Sequence, residues 1–516
     1  MTRTTPIAAF MAFGTKGDVY PIAAIAAAFA VDQEQYDVVF ITHSAHVSLK
    51  VHLEAKRVAY VPVSSPPALA PQDDNNPTGS KDLSFSLQKR EITRNHRREC
   101  VLIVERIFGD GLSLEGDLLV INFFALEGWS LAELFHIRCV VAAPYVVPYS
   151  APSSFEGRIR KELPHLYKYL KEAPTDKVGW EDVIHWMWPL FTEEWASWRN
   201  VELRLSACPF MDPVTGLPVW HDRPSSPLIL YGFSKEVVEC PGYWPSKVRV
   251  CGFWFLPLEW QFSCSKCAEI SALVSSTPLN TKDELCPAHI ELHYFMSTAA
   301  PELPIFISLS SIGSMGFMRN PQAFLQVIGN VIDISSHRFI LFSAGYGPLD
   351  AAISLLAQKE LIGSERRRSS NGVSLFGGRL FCFSGTIPYN WLFPRCAAVI
   401  HHGGSGSTAA ALRSGTPQVV CPFMLDQFYW AERMFWIGVA PEPLKRNHLL
   451  PDKVEVSCIR EAAEVVARAI NSALTVEVRA RALDIAKIMS SEDGVSEAVR
   501  ALKEEMGNSG SRQGCH

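Results

Sequence analysis

The last third of this chain holds residue types at spacings suited to gripping an anion. Residues 397–400 (Ala-Ala-Val-Ile) are an apolar run, followed by His401, His402, Gly403, Gly404, Ser405, Gly406, Ser407 and Thr408. An alanine-rich stretch then reaches Gly415, and Pro417 blocks its continuation. The order predicts a buried strand, a glycine turn and a helix, which aims the free N–H groups of a helix start at a negative charge. Gly404 and Gly406 let the backbone come close to a phosphate. Ser407 and Thr408 add hydroxyl donors, and His402 adds a donor of tunable charge. Asp426 and Gln427 then place a carboxylate beside an amide, a pair suited to sugar hydroxyls. A glycine turn is equally at home at a helix–strand corner that only packs.

The elements that must position these groups read as alternating strands and helices. Residues 7–13 predict a buried strand, 14–21 (Gly-Thr-Lys-Gly-Asp-Val-Tyr-Pro) its turn, and 22–30 an alanine-rich helix. Further strands are expected over 36–42, 58–63, 117–122, 139–144, 228–234, 304–309, 339–344 and 381–384, and helices over 126–135, 459–481 and 492–506. This is the pattern of parallel sheets, whose ligands sit at the carboxyl ends of the strands. A chain of 516 residues has room for two domains. With 48% hydrophobic and 20% charged residues it has ordinary globular composition. A net charge of −5 gives no electrostatic reason to expect nucleic acid. The 13 scattered cysteines, with no secretory signal ahead of them, predict reduced thiols and a cytoplasmic protein. No apolar run is long enough for a transmembrane helix.

The string over 390–404 (Asn-Trp-Leu-Phe-Pro-Arg-Cys-Ala-Ala-Val-Ile-His-His-Gly-Gly), continuing to Asp426 and Gln427, resembles the donor-binding signature of the UDP-glycosyltransferases. The likeness points in particular to the sterol 3-β-glucosyltransferases and the bacterial antibiotic glycosyltransferases. It implies an α/β chain of GT-B fold, two Rossmann-like domains facing each other across a cleft. The expected divisions are an acceptor-binding domain over 1–250, a linker with an insertion over 251–303, and a UDP-sugar-binding domain over 304–455. Helices over 456–506 would pack back toward the first domain, and 507–516 would be a disordered tail.

The resemblance also implies roles. The turn over 14–21 matches the family loop that carries the general base, and Asp18 falls on that position. The chemistry explains the need: an alcohol must lose its proton as it attacks the anomeric carbon. With an unperturbed pKa of about 3.9, an aspartate needs partial burial or concerted transfer to serve. Local sequence alone reads Asp18 as a turn residue or helix cap. Donor contacts would come from Ser311, Ile387 (at the uracil), His402, Gly404, Gly406, Ser407, Thr408, Asp426 and Gln427, and acceptor contacts from Asn122 and Glu127. Ser310 stands where the family usually has glycine. The implied reaction is an inverting, in-line transfer of a hexose or pentose from a UDP-sugar to a lipophilic alcohol, such as a terpenoid, a sterol or another polycyclic secondary metabolite. The product would be a β-glycoside. No cofactor or metal would be required, since the helix start and its donors replace a divalent ion. A non-catalytic GT-B relative that binds a nucleotide sugar or a lipophile, or acts as a partner subunit, is the alternative.

Three features stay open. Trp180, Trp186, Trp188, Trp195 and Trp198 fit core packing, a greasy acceptor pocket or transient membrane contact. Arg90, Arg94, Arg97 and Arg98 fit a solvated helix face or contact with an acidic acceptor. Cys264, Cys267, Cys286 and His289 have a spacing that can make a zinc site, one foreign to the family.

Overall fold

The computed structural model describes residues 3–67, 81–109, 113–145, 151–240, 242, 244–245, 247–261, 290–297, 302–309, 312–313, 315–343, 345–361, 372–384, 388–451 and 455–507. Ser310, Ser311, Ile387 and the four potential zinc ligands lie outside them, as do the tail beyond Gly507 and most of the loop expected over 66–81. The chain divides into two compact units, Met1–Phe255 with Glu492–His516, and Leu256–Ser491.

The first unit is built on seven parallel strands: β1 (Ile7–Met11), β2 (Asp37–His43), β3 (Val58–Val63), β4 (Leu118–Ile121), β5 (Arg138–Ala143), β6 (Ile229–Tyr231) and β7 (Val248–Val250). Every position of β1 and β4 is buried, the continuous apolar pattern of a sheet covered on both faces. Their order is β3-β2-β1-β4-β5-β6-β7. The chain therefore runs outward from β1 to β3, then returns to the other side of β1, leaving a switch point between β1 and β4, where open α/β sheets bind ligands.

The helix after β1 spans Lys16–Asp32 and begins before Pro21, earlier than expected. Thr15 and Asp18 form a capping box that starts it, satisfying donors of the first turn. Pro21 lies close enough to the start that losing one intrahelical N–H is tolerated. The Gly494–Gly507 helix packs on Lys16–Asp32. Its entry is fastened by Ser234, whose hydroxyl donates to Glu492 Oε1 at 2.6 Å.

The second unit contains β8 (Ile305–Ser308), β9 (Phe339–Phe342), β10 (Gly372–Leu375), β11 (Leu380–Phe383), β12 (Ala398–His401) and β13 (Gln418–Val420). The order is β10-β11-β9-β8-β12-β13, so its switch point lies between β8 and β12. All pairs are parallel except β10 with β11. The sequence reading did not anticipate β10, a short edge strand that alternates poorly. It also merged two helices, Val456–Ala473 and Val476–Met489. They separate because Thr475 is extended and its side chain accepts from the Val478 N–H, which starts a new helix.

Gly494 has no room for a side chain: a Cβ there would lie 2.5 Å from the carbonyl oxygens of Gly252 and Phe253. Gly494→Ala is therefore expected to destabilise the first unit by about 1–3 kcal/mol, the usual cost of overpacking. Thermal melts of the two proteins check this; an unchanged midpoint would contradict the tight fit.

Candidate functional site

In the first unit the functional groups gather at the carboxyl ends of β1 and β4. Gly14 follows β1 with φ of +105°, a backbone state that favours glycine. A Cβ on it would collide with the Asp18 carboxylate, 2.6 Å away. Asp18 sits in the first turn of the Lys16–Asp32 helix. Its Oδ2 accepts from the Thr15 N–H at 2.6 Å and the Thr15 hydroxyl at 2.8 Å. Oδ1 has no hydrogen bond among the described residues. Desolvation raises the pKa of this partly buried group to about 6, against the two Thr15 bonds, which lower it. The cap expected from local sequence and a carboxylate of raised basicity are thus the same residue. The cap engages one oxygen and leaves the other.

Asn122, expected as an acceptor contact, is fully buried. Its amide donates to the Phe13 carbonyl at 2.8 Å and the Asp18 carbonyl at 3.3 Å, and its Oδ1 accepts from the Phe13 and Phe124 N–H groups at 3.2 Å each. These bonds leave no amide atom for a ligand and tie the end of β4 to the Asp18 turn. His46, which the sequence did not single out, holds the same turn from the other side through a 2.9 Å bond between Nε2 and the Gly14 carbonyl. Glu127 is also buried. It lies 3.5 Å from Arg97 Nε and 4.0 Å from His96 Nε2. Arg97 in turn stacks over Trp195 and Trp198, 4.1 and 5.2 Å from their centroids. One member of the basic run therefore belongs to the interior, because a carboxylate and two indole faces replace its water. Trp180, Trp186 and Trp198 are buried as well, and Trp186 meets Trp129 edge-on at 5.3 Å. Packing is the reading these three take.

In the second unit the glycine turn falls where expected, between β12 and the Ser405–Ser414 helix, with Gly404 as N-cap and Gly415 as a left-handed C-cap. Gly403 has φ of +85°, and a Cβ on it would lie 2.9 Å from Val420 Cγ1 and 3.0 Å from the Gln427 carbonyl oxygen. This glycine thus lets the turn close against the segment carrying Asp426 and Gln427. A side chain on Gly404 would strike His402 Nε2, so the imidazole stands over the helix start. Burial lowers the His402 pKa to about 3. The histidine expected to carry a tunable charge is instead neutral at physiological pH. The first backbone bond of the helix runs from the Thr408 N–H to the Gly404 carbonyl, so the N–H groups of the turn ahead of it form the anion-facing end. Gly406 is exposed and Ser407 half-buried there. Thr408 is fully buried, and its hydroxyl has no partner among the described residues.

Asp426 is the N-cap residue of the Gln427–Trp436 helix and accepts from Trp430 Nε1 at 3.1 Å. Gln427 Oε1 accepts from the Phe423 and Met424 N–H groups at 3.0 and 3.2 Å. These two bonds hold the largely buried Gln427 side chain by its oxygen. The preceding Leu425 has φ of 53°, a costly state for a non-glycine residue, found where a site demands it. Among the described residues no cluster of His, Cys, Asp or Glu is arranged to hold a metal, and no helix is long and apolar enough to cross a membrane.

Likenesses to known proteins bear on this geometry. The family model for the erythromycin biosynthesis protein CIII-like, C-terminal domain matches residues 377–489, the stretch holding the glycine turn and the Asp426–Gln427 pair. A sterol 3-beta-glucosyltransferase of Arabidopsis thaliana is 25% identical over 499 residues, 95% of this chain and 64% of the relative. The chain therefore spans less than two thirds of that protein's length. A terpene cyclase-glycosyl transferase fusion protein of Humicola fuscoatra is 33% identical over 131 residues, 25% of this chain and 10% of the relative. Among solved structures, the calicheamicin glycosyltransferase CalG4 aligns over 98% of this chain and 100% of its own at TM-score 0.56 and 15% identity. The fold is that of the GT-B glycosyltransferases.

Two predictions follow from the local geometry. Any activity that needs the Asp18 carboxylate ionised is expected to rise with pH through about 6. Thr15→Val removes a bond that favours the ionised form and moves that limb upward; a pH profile of the two proteins with the same limb would contradict the contact. Gly403→Ala is expected to weaken ligand binding at the turn by about tenfold or more, through the strained φ and the clash with the Gln427 backbone. Calorimetric titration with UDP checks this.

Proposed function

We infer that this chain, a member of the UDP-glycosyltransferases of GT-B fold, moves a hexose or pentose from a UDP-sugar to a hydroxyl of a lipophilic acceptor, with inversion to a β-glycoside. The observation that carries the reading is the pairing of chemistry with topology. A carboxylate of raised basicity stands at the switch point of one sheet, and an anion-facing helix start with a neutral histidine stands at the switch point of the other.

The donor diphosphate binds at the first turn of the Ser405–Ser414 helix. Its backbone N–H groups, the Ser407 hydroxyl and the His402 imidazole donate to it. Asp426 accepts from one sugar hydroxyl while Gln427 donates to another, which orients the ring for attack. The acceptor hydroxyl approaches Asp18, and the oxygen not held by Thr15 takes its proton as the alcohol oxygen bonds to the anomeric carbon. The bond from that carbon to the diphosphate oxygen breaks on the opposite face, and UDP leaves with the electron pair. Donors fixed beforehand meet the charge that develops there.

The acceptor class rests on kinship and on the aromatic content of the first unit. Phe123 and Phe124 follow β4 and lie 6.2 and 6.1 Å from Tyr145, which follows β5. A wall of rings at two strand ends suits an apolar polycyclic alcohol. The relatives named above include a sterol glucosyltransferase and a terpene cyclase fused to a glycosyl transferase.

The test is UDP release by the purified chain with UDP-glucose or UDP-xylose against a panel of sterols and terpenoid alcohols. Release should depend on acceptor. Asp18→Asn should lower the rate about 100-fold or more, within the range of a lost general base. His402→Ala should cost about 100-fold, as when a preorganised donor to a developing anion is lost. Release that persists in Asp18→Asn would overturn the assigned base. UDP binding without release from any pair would favour a nucleotide-sugar binding protein.

A further inference from the structure

We propose that His401 is a positioning residue of the donor turn: a neutral imidazole protonated at Nε2, it holds the Gly403 N–H through Nδ1 and so fixes the turn that carries His402 to the helix start. The proposal rests on the donor reading above and adds a residue that touches neither sugar nor phosphate.

The geometry points one way. His401 ends β12, is 1% exposed, and accepts the Gly403 N–H on Nδ1 at 3.0 Å. A nitrogen that accepts carries no proton, so the ring proton of the neutral form is on Nε2. Nε2 lies 2.8 Å from Oε1 of Gln418, the fully buried first residue of β13. Gln418 cannot turn its amide over freely, because its Nε2 donates to Met434 Sδ at 3.5 Å. The chain Met434–Gln418–His401–Gly403 therefore runs in a single sense, each donor facing an acceptor, and it specifies the tautomer.

The bond to Gly403 orients the peptide that joins it to His402. With φ of +85° at Gly403, that peptide is where the chain turns from the strand into the helix start. Rotating it would swing His402 away from its place over Gly404. A second proton on His401 would set Nδ1–H against the Gly403 N–H, two donors face to face, and break the link.

The surroundings keep that proton off. Burial lowers the His401 pKa to about 4, and the Gln418 bond only partly opposes this. The residues opposite it on the flanking strands, Ser308 and Val420, are uncharged. His402, the next residue, is the titratable neighbour, and it too is held neutral. Among the described residues no carboxylate acts on the ring.

UDP binding to the full-length protein, measured by calorimetry between pH 6 and 8.5, tests this. Gln418→Glu keeps the shape but puts a carboxylate beside Nε2, which favours the doubly protonated ring. Its UDP affinity is expected to fall by about tenfold from pH 8.5 to pH 6, while the wild type changes little. His401→Leu should bind UDP about tenfold or more weakly at every pH. His401→Asn, whose Oδ1 can replace Nδ1 as acceptor, should recover most of that loss. The KM for the acceptor should not move in any of them. A role in packing alone predicts no pH dependence in Gln418→Glu and no rescue by Asn. Wild-type affinity in a folded His401→Leu, or a flat pH response in Gln418→Glu, would overturn the proposal while leaving the donor reading intact. Failure of the wild type to bind UDP would overturn both. If His401→Leu does not fold, the Gln418→Glu response decides.

Discussion

The reversal of strand order beside β1 and beside β8 is the constraint on which the two sites depend. At each reversal, neighbouring strands send their connections to opposite sides, and a crevice opens at their carboxyl ends. The loops that line it must make sharp turns with few neighbours to brace them. In the first unit, four hydrogen bonds from the Asn122 amide reach Phe13, Asp18 and Phe124, while His46 grips Gly14. In the second, Gly403 is tied to β12 itself and packs under the Gln427 backbone. A buried side chain serving as a backbone partner is the device common to both, and it satisfies groups that a crevice would otherwise strand.

Electrostatically, the histidines of the second site carry no charge before a ligand arrives. Burial raises Asp18 toward neutrality and keeps His402 and His401 free of charge. In such surroundings a fixed dipole acts strongly on whatever charge then appears. Neutral donors around a leaving diphosphate stabilise its growing charge without first having to be stripped of counter-ions. A carboxylate with a pKa of about 6 is a stronger base than an ordinary aspartate, yet is mostly ionised at neutral pH.

Much of this was legible in the residues. The buried strands β1, β4 and β8 stood out because parallel strands covered on both faces read as unbroken apolar runs. The glycine turn was legible because glycine takes a positive φ ahead of a helix start at far less cost than other residues. What the string did not disclose were the partners. Asn122 and Glu127 look like cleft residues by their place after β4, but the first is consumed by the backbone and the second by Arg97. Whether a polar group at a strand end faces a ligand or a neighbouring loop depends on contacts remote in sequence, such as that of Asn122 with Phe13, 109 residues away. His401 stood beside the residue chosen as ligand contact, and strand alternation offers a signal for it, since neighbours on a strand face opposite ways. β10 and the break at Thr475 were missed because a short edge strand and a single cap leave little periodicity.

The most direct measurement is hydrogen–deuterium exchange of the whole protein with and without UDP. If the nucleotide diphosphate binds at the Ser405–Ser414 helix start, protection will appear over residues 402–408 and around Asp426 and Gln427, while the Asp18 turn exchanges as before. Protection centred on the Asp18 turn, or none at the helix start despite UDP binding, would contradict the assignment of donor chemistry to the second sheet.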